Sequence, residues 1–397
     1  MDARDILEWF TSGRLVRPEA DQPNFVDLVR AVAGLAGATG WANSRGIAAL
    51  SRQIGPADHI VLILVDGMGW RQLQALPACS FLRRNTVMQL QSVFMSTTAS
   101  ALTTLATGQW PAIHAIPGWW TYLPERDVCA VTLPFIDRVT QLPLSDLGIS
   151  VAELLPAPSI WPGLTRRVLS IVPTPLTGTT YSRYACGETA SAGYGDLDAA
   201  FAIAAEALQL AARPSLIYLY LPQYDGICHK QGVDHQQTRE LLTKLDVMLD
   251  RFATSLAGKA RVVITADHGL LDTAPDHRFI LTGRDPLRRH LQCDPSGERT
   301  VPIFHVHPGR EDDFLGEFEA RFGDHFALLT PAEVEHLRLM GPDALSPQMK
   351  ERLGTFVGIA PYSVQLYASH SRHPETPLIG VHGGLSPAEM HIPLILA

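Results

Sequence analysis

Asp66 follows the run "HIVLILV", Asp225 and His229 follow "LIYLYLP" in "QYDGICH", and Asp267 and His268 follow "RVVIT" in "TADHG". His382 stands in "VHGG", a few residues ahead of "HIPLILA". Carboxylates and imidazoles at the ends of apolar runs are the donors of a divalent-cation site. A mixed nitrogen and oxygen set suits zinc, and suits manganese less well. Six such donors are enough for two ions with about three protein ligands each, leaving positions open for a substrate. Taken singly, each residue has a plainer reading: an Asp-Gly pair after a strand is a turn, and a lone Asp-His pair caps a loop. Their combination carries the metal reading.

Such a site calls for a nucleophile, and the stretch "SVFMSTTASALTTLATGQWPAIHAIPGWW", residues 92–120, offers hydroxyls in number. Thr98 falls where a strand gives way to the helical "ASALTTLATG", so its hydroxyl would face the cluster while free backbone N–H groups face an incoming anion. A threonine hydroxyl is a poor nucleophile by itself; a divalent ion lowers its pKa. Thr97 is the near rival, because the sequence leaves the helix phase open. Thr103, Thr104 and Thr107 read as packing residues with their methyls inward.

The elements that must position these groups form a regular series. Ile60 to Val65 is a continuous β-branched and leucine run, as in a strand covered on both faces. Val87 to Phe94, Val168 to Pro173, Leu216 to Pro222, Arg261 to Gly269 and His391 to Ala397 repeat the strand signature. Helical patterns alternate with them, notably Asp196 to Arg213 and Asp234 to Leu256. Alternation of this kind predicts an α/β fold with a mostly parallel central sheet and helices on both faces. In open sheets of that type ligands collect at the C-terminal ends of the strands, where the aspartates stand. Residues 1–57 read as a helical lead-in. Residues 58–271 and 379–397 read as the catalytic core, with a Pro/Trp-rich insertion at about 110–165, and residues 272–378 as an inserted cap.

The chain has 397 residues, 46% of them hydrophobic, a net charge of -8 and a pI near 6.0. It has no basic run, so a small substrate is expected, with no nucleic-acid polymer and no anionic membrane as partner. Cys79, Cys129, Cys186, Cys228 and Cys293 are scattered, odd in number and free of CxxC spacing, which predicts reduced thiols in a cytoplasmic protein. The charged start "MDARDILEWF" lacks the apolar stretch of a secretory signal, and no segment approaches the roughly 18–20 apolar residues of a membrane span.

The ordered set "ILVDGMG", "STTASALTTLATGQWPAIHAIPG", "YDGICHKQG", "TADHG" and "HGGLSPAEMHIPLI" resembles the type I phosphodiesterase/nucleotide pyrophosphatase family of the alkaline phosphatase superfamily. The resemblance covers about residues 58–120, 165–270 and 378–397. It implies one zinc held by Asp225, His229 and His382 and a second held by Asp66, Asp267 and His268, with Thr98 contacting the second. It also favours Thr98 over Thr97, since the family's nucleophile precedes the Thr-Gly pair at its helix end by the interval seen to Thr107-Gly108. The implied reaction is in-line attack by Thr98 on phosphorus, a covalent phosphothreonine, and hydrolysis of that ester.

Departures from the family pattern bear on the substrate. Ala99-Ser100 replaces a Phe-Pro pair after the nucleophile. Gly118 and Trp119 stand where the family's asparagine would hold a phosphoryl oxygen, which leaves a phosphomonoesterase or phosphonate hydrolase as the alternative. Cys228 replaces a glycine before the second histidine and reads as packing. Trp119, Trp120 and Tyr122 are candidates for stacking a nucleotide-like base, and His114 for facing the site. Lys230 and Arg372 are candidate phosphate contacts. A sulfatase is disfavoured because "TTASAL" lacks the Cys/Ser-x-Pro-x-Arg segment, and a phosphoglycerate mutase because that family uses serine and a large insertion. A metal-binding homologue without catalysis is the reading from another class.

Overall fold

The computed structural model describes residues 1–41, 44–187, 189–369 and 375–397. Seven strands form the central sheet in the order Thr86–Gln91, His391–Leu396, Arg261–Thr265, His59–Val65, Ser215–Leu221, Arg167–Pro173 and Ala190–Tyr194. His59–Val65 pairs in parallel with Ser215–Leu221 and with Arg261–Thr265, and Arg167–Pro173 pairs in parallel with both of its neighbours. His391–Leu396 alone runs antiparallel to its two neighbours. This is the mostly parallel α/β sheet expected from the alternation of runs.

The three middle strands are buried almost throughout, as their unbroken Val, Ile and Leu content demands. Helices Leu197–Gln209 and Gln236–Ser255 lay apolar stripes against the sheet through Phe201, Leu242, Leu245, Leu249 and Phe252, in one core with Ile60 to Val65. Among the described residues no helix is long and apolar enough to cross a membrane.

A second sheet of seven strands stands over the C-terminal ends of the first. Its order is Ala327–Leu329, Phe356–Ile359, Pro302–Phe304, Ser296–Gly297, Trp120–Leu123, Val128–Val131 and Ile136–Asp137, and its pairings are antiparallel. Strands from the Pro/Trp-rich stretch and from the 272–378 stretch thus lie in one sheet, joined where Gly297 pairs with Trp120. The junction is tight: a Cβ added to Gly118 would lie 2.7 Å from the Gly297 backbone, so only glycine fits there. Between Gly297 and Pro302 the chain turns through Glu298, Arg299 and Thr300, closed by reciprocal backbone bonds between Glu298 and Val301.

Candidate metal centre and active site

The three middle strands deliver the acidic residues side by side. Asp66 follows His59–Val65, Asp267 and His268 follow Arg261–Thr265, and helix Gln223–Gln231 begins directly after Ser215–Leu221 and its Pro222. Within that helix Asp225 and His229 are four residues apart and so share a face; His229 Nε2 lies 3.1 Å from Asp225 Oδ2. His382 follows the short strand Gly380–Val381, with Nε2 3.8 Å from Asp225 Oδ1. Asp225, His229 and His382 have ligand atoms within 4.8 Å of one another, and so do Asp66, Asp267 and His268. The two groups adjoin, since the rings of His268 and His382 stack at 3.8 Å.

The way each side chain is held fits a cation. All three histidines direct Nδ1 to a backbone carbonyl: His229 to Gly380 at 2.7 Å, His382 to Ser96 at 3.2 Å and His268 to Gly269 at 3.1 Å. That pairing fixes the tautomer and turns the Nε2 lone pair inward, as metal-ligating histidines require. Asp267 accepts the backbone N–H groups of Gly67 and His268 on Oδ1, while Asp66 accepts the Tyr220 hydroxyl on Oδ2. The opposite oxygens, Asp66 Oδ1 and Asp267 Oδ2, and also Asp225 Oδ1, are buried without a hydrogen-bond partner among the described residues. Burial without a partner is costly for a carboxylate oxygen unless a cation meets it.

The buried groups of the cluster also act on one another's charges. Burial pushes the Asp66 carboxyl well up, and the neighbouring Asp267 and Asp225 push it further. Burial also opposes ionisation of Asp225, but His229 and His382 beside it hold that carboxyl below the usual range. Burial disfavours the His229 imidazolium as well, yet Asp225 outweighs it and brings the ring to about 9.

Thr98 is the first residue of helix Thr98–Thr107, and its Oγ1 lies 3.1 Å from His268 Nε2. Thr97 precedes it as the N-cap, but its hydroxyl makes no cap bond; it donates to Glu298 Oε1 at 2.6 Å. The first N–H groups of the helix are therefore left for an anion. Thr103 and Thr107 bond back to carbonyls of their own helix.

Two cavities meet at Thr98. The larger, about 550 Å³, runs from Asp66, Thr98 and Asp225 along apolar walls that include Leu102, Trp119, Leu133, Trp161 and Leu176. The smaller, about 270 Å³, has Thr98, Asp225, His229 and His382 on one side and Trp119, Trp120, Glu298, Arg299 and Glu375 on the other. Trp119 and Trp120 therefore line the site. Tyr122 lines neither cavity; its hydroxyl donates to Asp127 and its ring packs against His305. His114 is wholly buried, with Nε2 against Thr104 Oγ1 and Nδ1 accepting the Ile116 N–H. Lys230 is exposed and on neither wall, Cys228 is packed in the sheet core, and Arg372 lies outside the described residues.

Sequence reasoning missed Tyr220, Glu298 and Arg299. Tyr220 sits inside a strand run where a tyrosine reads as packing. Glu298 accepts both the Thr97 hydroxyl and the Trp119 N–H, at 2.8 Å for the latter, on Oε1. Burial pushes its carboxyl up to about 7. Thr300 of the same turn donates to the His382 carbonyl at 2.7 Å.

Two Asp/His triads beside the ends of a mostly parallel sheet, with a buried hydroxyl next to one of them, are arranged as in a phosphoester hydrolase. Residues 60–384 match the type I phosphodiesterase/nucleotide pyrophosphatase family, and the chain belongs to it. Among solved structures it is similar to murine ectonucleotide pyrophosphatase/phosphodiesterase 5, at 18% identity and a TM-score of 0.61 over 85% of this chain and 87% of that one. The human form matches at 17% identity and a TM-score of 0.62 over the same shares. Phosphonoacetate hydrolase from Sinorhizobium meliloti, solved with phosphonoformate, matches at 20% identity and a TM-score of 0.59 over 85% of this chain and 89% of that one. At these identities the likeness is one of fold. No curated protein sequence matches the chain.

Proposed function

We propose that this protein is a two-zinc hydrolase of phosphate esters, of phosphodiesterase or pyrophosphatase type, acting through a covalent phosphothreonine at Thr98. The observation that carries the reading is the pair of triads, each with a buried carboxylate oxygen that has no hydrogen-bond partner among the described residues, with the Thr98 hydroxyl beside His268. Asp225, His229 and His382 would hold one ion and Asp66, Asp267 and His268 the other, with Thr98 beside the second. The donor chemistry favours zinc. When bound, the ions supply Lewis acidity that lowers the pKa of a hydroxyl and offsets phosphoryl charge.

The chain's own groups then have separable tasks. Thr98 Oγ1 attacks phosphorus as its proton passes to solvent; the bond to the leaving-group oxygen breaks, and that oxygen departs with the electron pair and takes a proton from solvent. Water subsequently cleaves the Thr98 phosphoester and regenerates the hydroxyl. N–H groups at the start of helix Thr98–Thr107 face the phosphoryl oxygens, and Glu298 fixes the helix entry through Thr97. The larger cavity has the size and apolar walls of a site for an organic group. A structure of an inactive form of the murine relative holds AMP, which supports a small nucleotide-like substrate.

Phosphomonoester or phosphonate cleavage by the same site is the second reading. It draws support from Gly118, whose close approach to Gly297 leaves no room for an amide side chain. Thr98→Ala tests the nucleophile: turnover of bis(4-nitrophenyl) phosphate and 4-nitrophenyl phosphate should fall at least about a thousandfold. Metal content should persist on the six remaining donors. Full activity in that variant would remove Thr98 from the mechanism.

A further inference from the structure

The smaller cavity brings a buried guanidinium to the wall facing Thr98. Arg299 is 8% exposed, and its ring neighbours are Tyr367, with the guanidinium carbon 4.3 Å from the centroid, and Trp120, at 5.8 Å. Nη2 donates to Glu375 Oε2 and Nη1 to the Thr376 carbonyl, both at 2.8 Å. A guanidinium carries five N–H donors, so Arg299 spends only part of its capacity on the described residues. Glu375 is shared: its Oε1 also accepts from Arg138 Nε at 3.3 Å. Arg138 is buried as well, lies 3.6 Å over the Trp120 ring, and gives its other donors to the Pro295 and Ala368 carbonyls. Two buried arginines thus lean on one carboxylate beside the cavity. Glu298, the other acid on that wall, has Oε1 committed to Thr97 and Trp119.

Burying a guanidinium is costly unless anions meet its donors. Arg299 Nη1 and Nη2 each have one bond, to Thr376 and Glu375, and the charged donors left over on this cavity wall are of the kind that recognises carboxylate or phosphate oxygens. At about 270 Å³ this cavity has about half the volume of the larger one beside it, which suits a compact anionic group with the organic part of a substrate in the larger cavity.

We propose that Arg299 is a specificity-determining residue that binds a second anionic group of the substrate, a carboxylate or a phosphate carried close to the phosphorus that Thr98 attacks. The inference rests on Thr98 being the reacting group.

The test uses the metal-loaded protein and steady-state hydrolysis of bis(4-nitrophenyl) phosphate, which has no second anion. Two pairs of probes serve as competitors: pyrophosphate against phosphate, and phosphonoacetate against ethylphosphonate. In the unaltered protein the member with the extra anion should inhibit about tenfold or more tightly in at least one pair, and the pair that responds identifies phosphate or carboxylate as the recognised group. Arg299→Met should erase that preference, a loss of about 10–100-fold in the ratio of the paired inhibition constants. Arg299→Lys should recover part of it. Equal inhibition within both pairs, or a preference that survives in Arg299→Met, would overturn the proposal. Activity surviving in Thr98→Ala would instead remove the reading on which it rests. Where Arg299→Met does not fold, the paired competition in the unaltered protein and in Arg299→Lys still decides.

Discussion

Each of the three histidines in the cluster is oriented by a main-chain carbonyl, and Asp66 and Asp267 each have one oxygen held by protein donors and one without a hydrogen-bond partner among the described residues. These residues were legible in the sequence because Asp and His are conspicuous directly after apolar runs. Glu298 was not, because nothing in "SGERTVP" marks a turn that reaches another sheet's ligands. Its part is open to test. Loss of the carboxyl frees Thr97 and the Trp119 N–H, so Glu298→Ala should lower kcat by about 10–100-fold with a smaller change in KM. Glu298→Gln keeps an acceptor oxygen for both donors and should recover most of the loss. Equal activity of Glu298→Ala and the unaltered protein would mean that the contact is only a packing feature.

At the level of elements, the buried parallel strands were readable to within a few residues. The 87–94 strand proved to be Thr86–Gln91. The second sheet was not readable, because its strands are two to four residues long and too short to show alternation. Trp120 and Tyr122 share a face of strand Trp120–Leu123, yet Tyr122 stands two residues further along it, where its ring packs on His305 and its hydroxyl on Asp127 instead of on the site wall. His114 shows how a conspicuous histidine is absorbed by packing. Burial lowers its ring to about 3, and that of His305 to about 4, so both are neutral in the fold. Unfolded, each takes up a proton below about 6.5. Above that pH neither affects stability; as pH falls from about 6.5 toward 4, the unfolded chain gains protons the native one refuses, and stability drops by up to about 1.4 kcal/mol per pH unit for each ring. Thermal melts at stepped pH should show a shallower acid decline for His114→Gln than for the unaltered protein. Parallel declines would contradict the assignment.

For the molecule as a whole, two sheets divide the work. The parallel sheet supplies five of the six donors at or just after the ends of its middle strands, His382 follows Gly380–Val381, and the antiparallel sheet closes over them with Trp119, Trp120, Glu298 and Arg299. The turn between Gly297 and Pro302 links the two, since one residue holds the entry to the Thr98 helix, the next faces the smaller cavity, and the third holds the backbone of His382. Fold, family and donor cluster could be read from the chain because each depends on local pattern. The walls that select a substrate could not, because they depend on pairing between residues about 180 positions apart, as in Trp120 with Gly297.

The central claim is that the two triads hold two catalytic ions around Thr98, and metal content measured alongside activity tests it most directly. Purified protein should carry about two zinc ions per chain; chelation should abolish hydrolysis of the 4-nitrophenyl esters, and added zinc should restore it. Protein that binds no metal in stoichiometric amount and stays inactive with zinc or manganese, or that is active after complete chelation, would contradict the account.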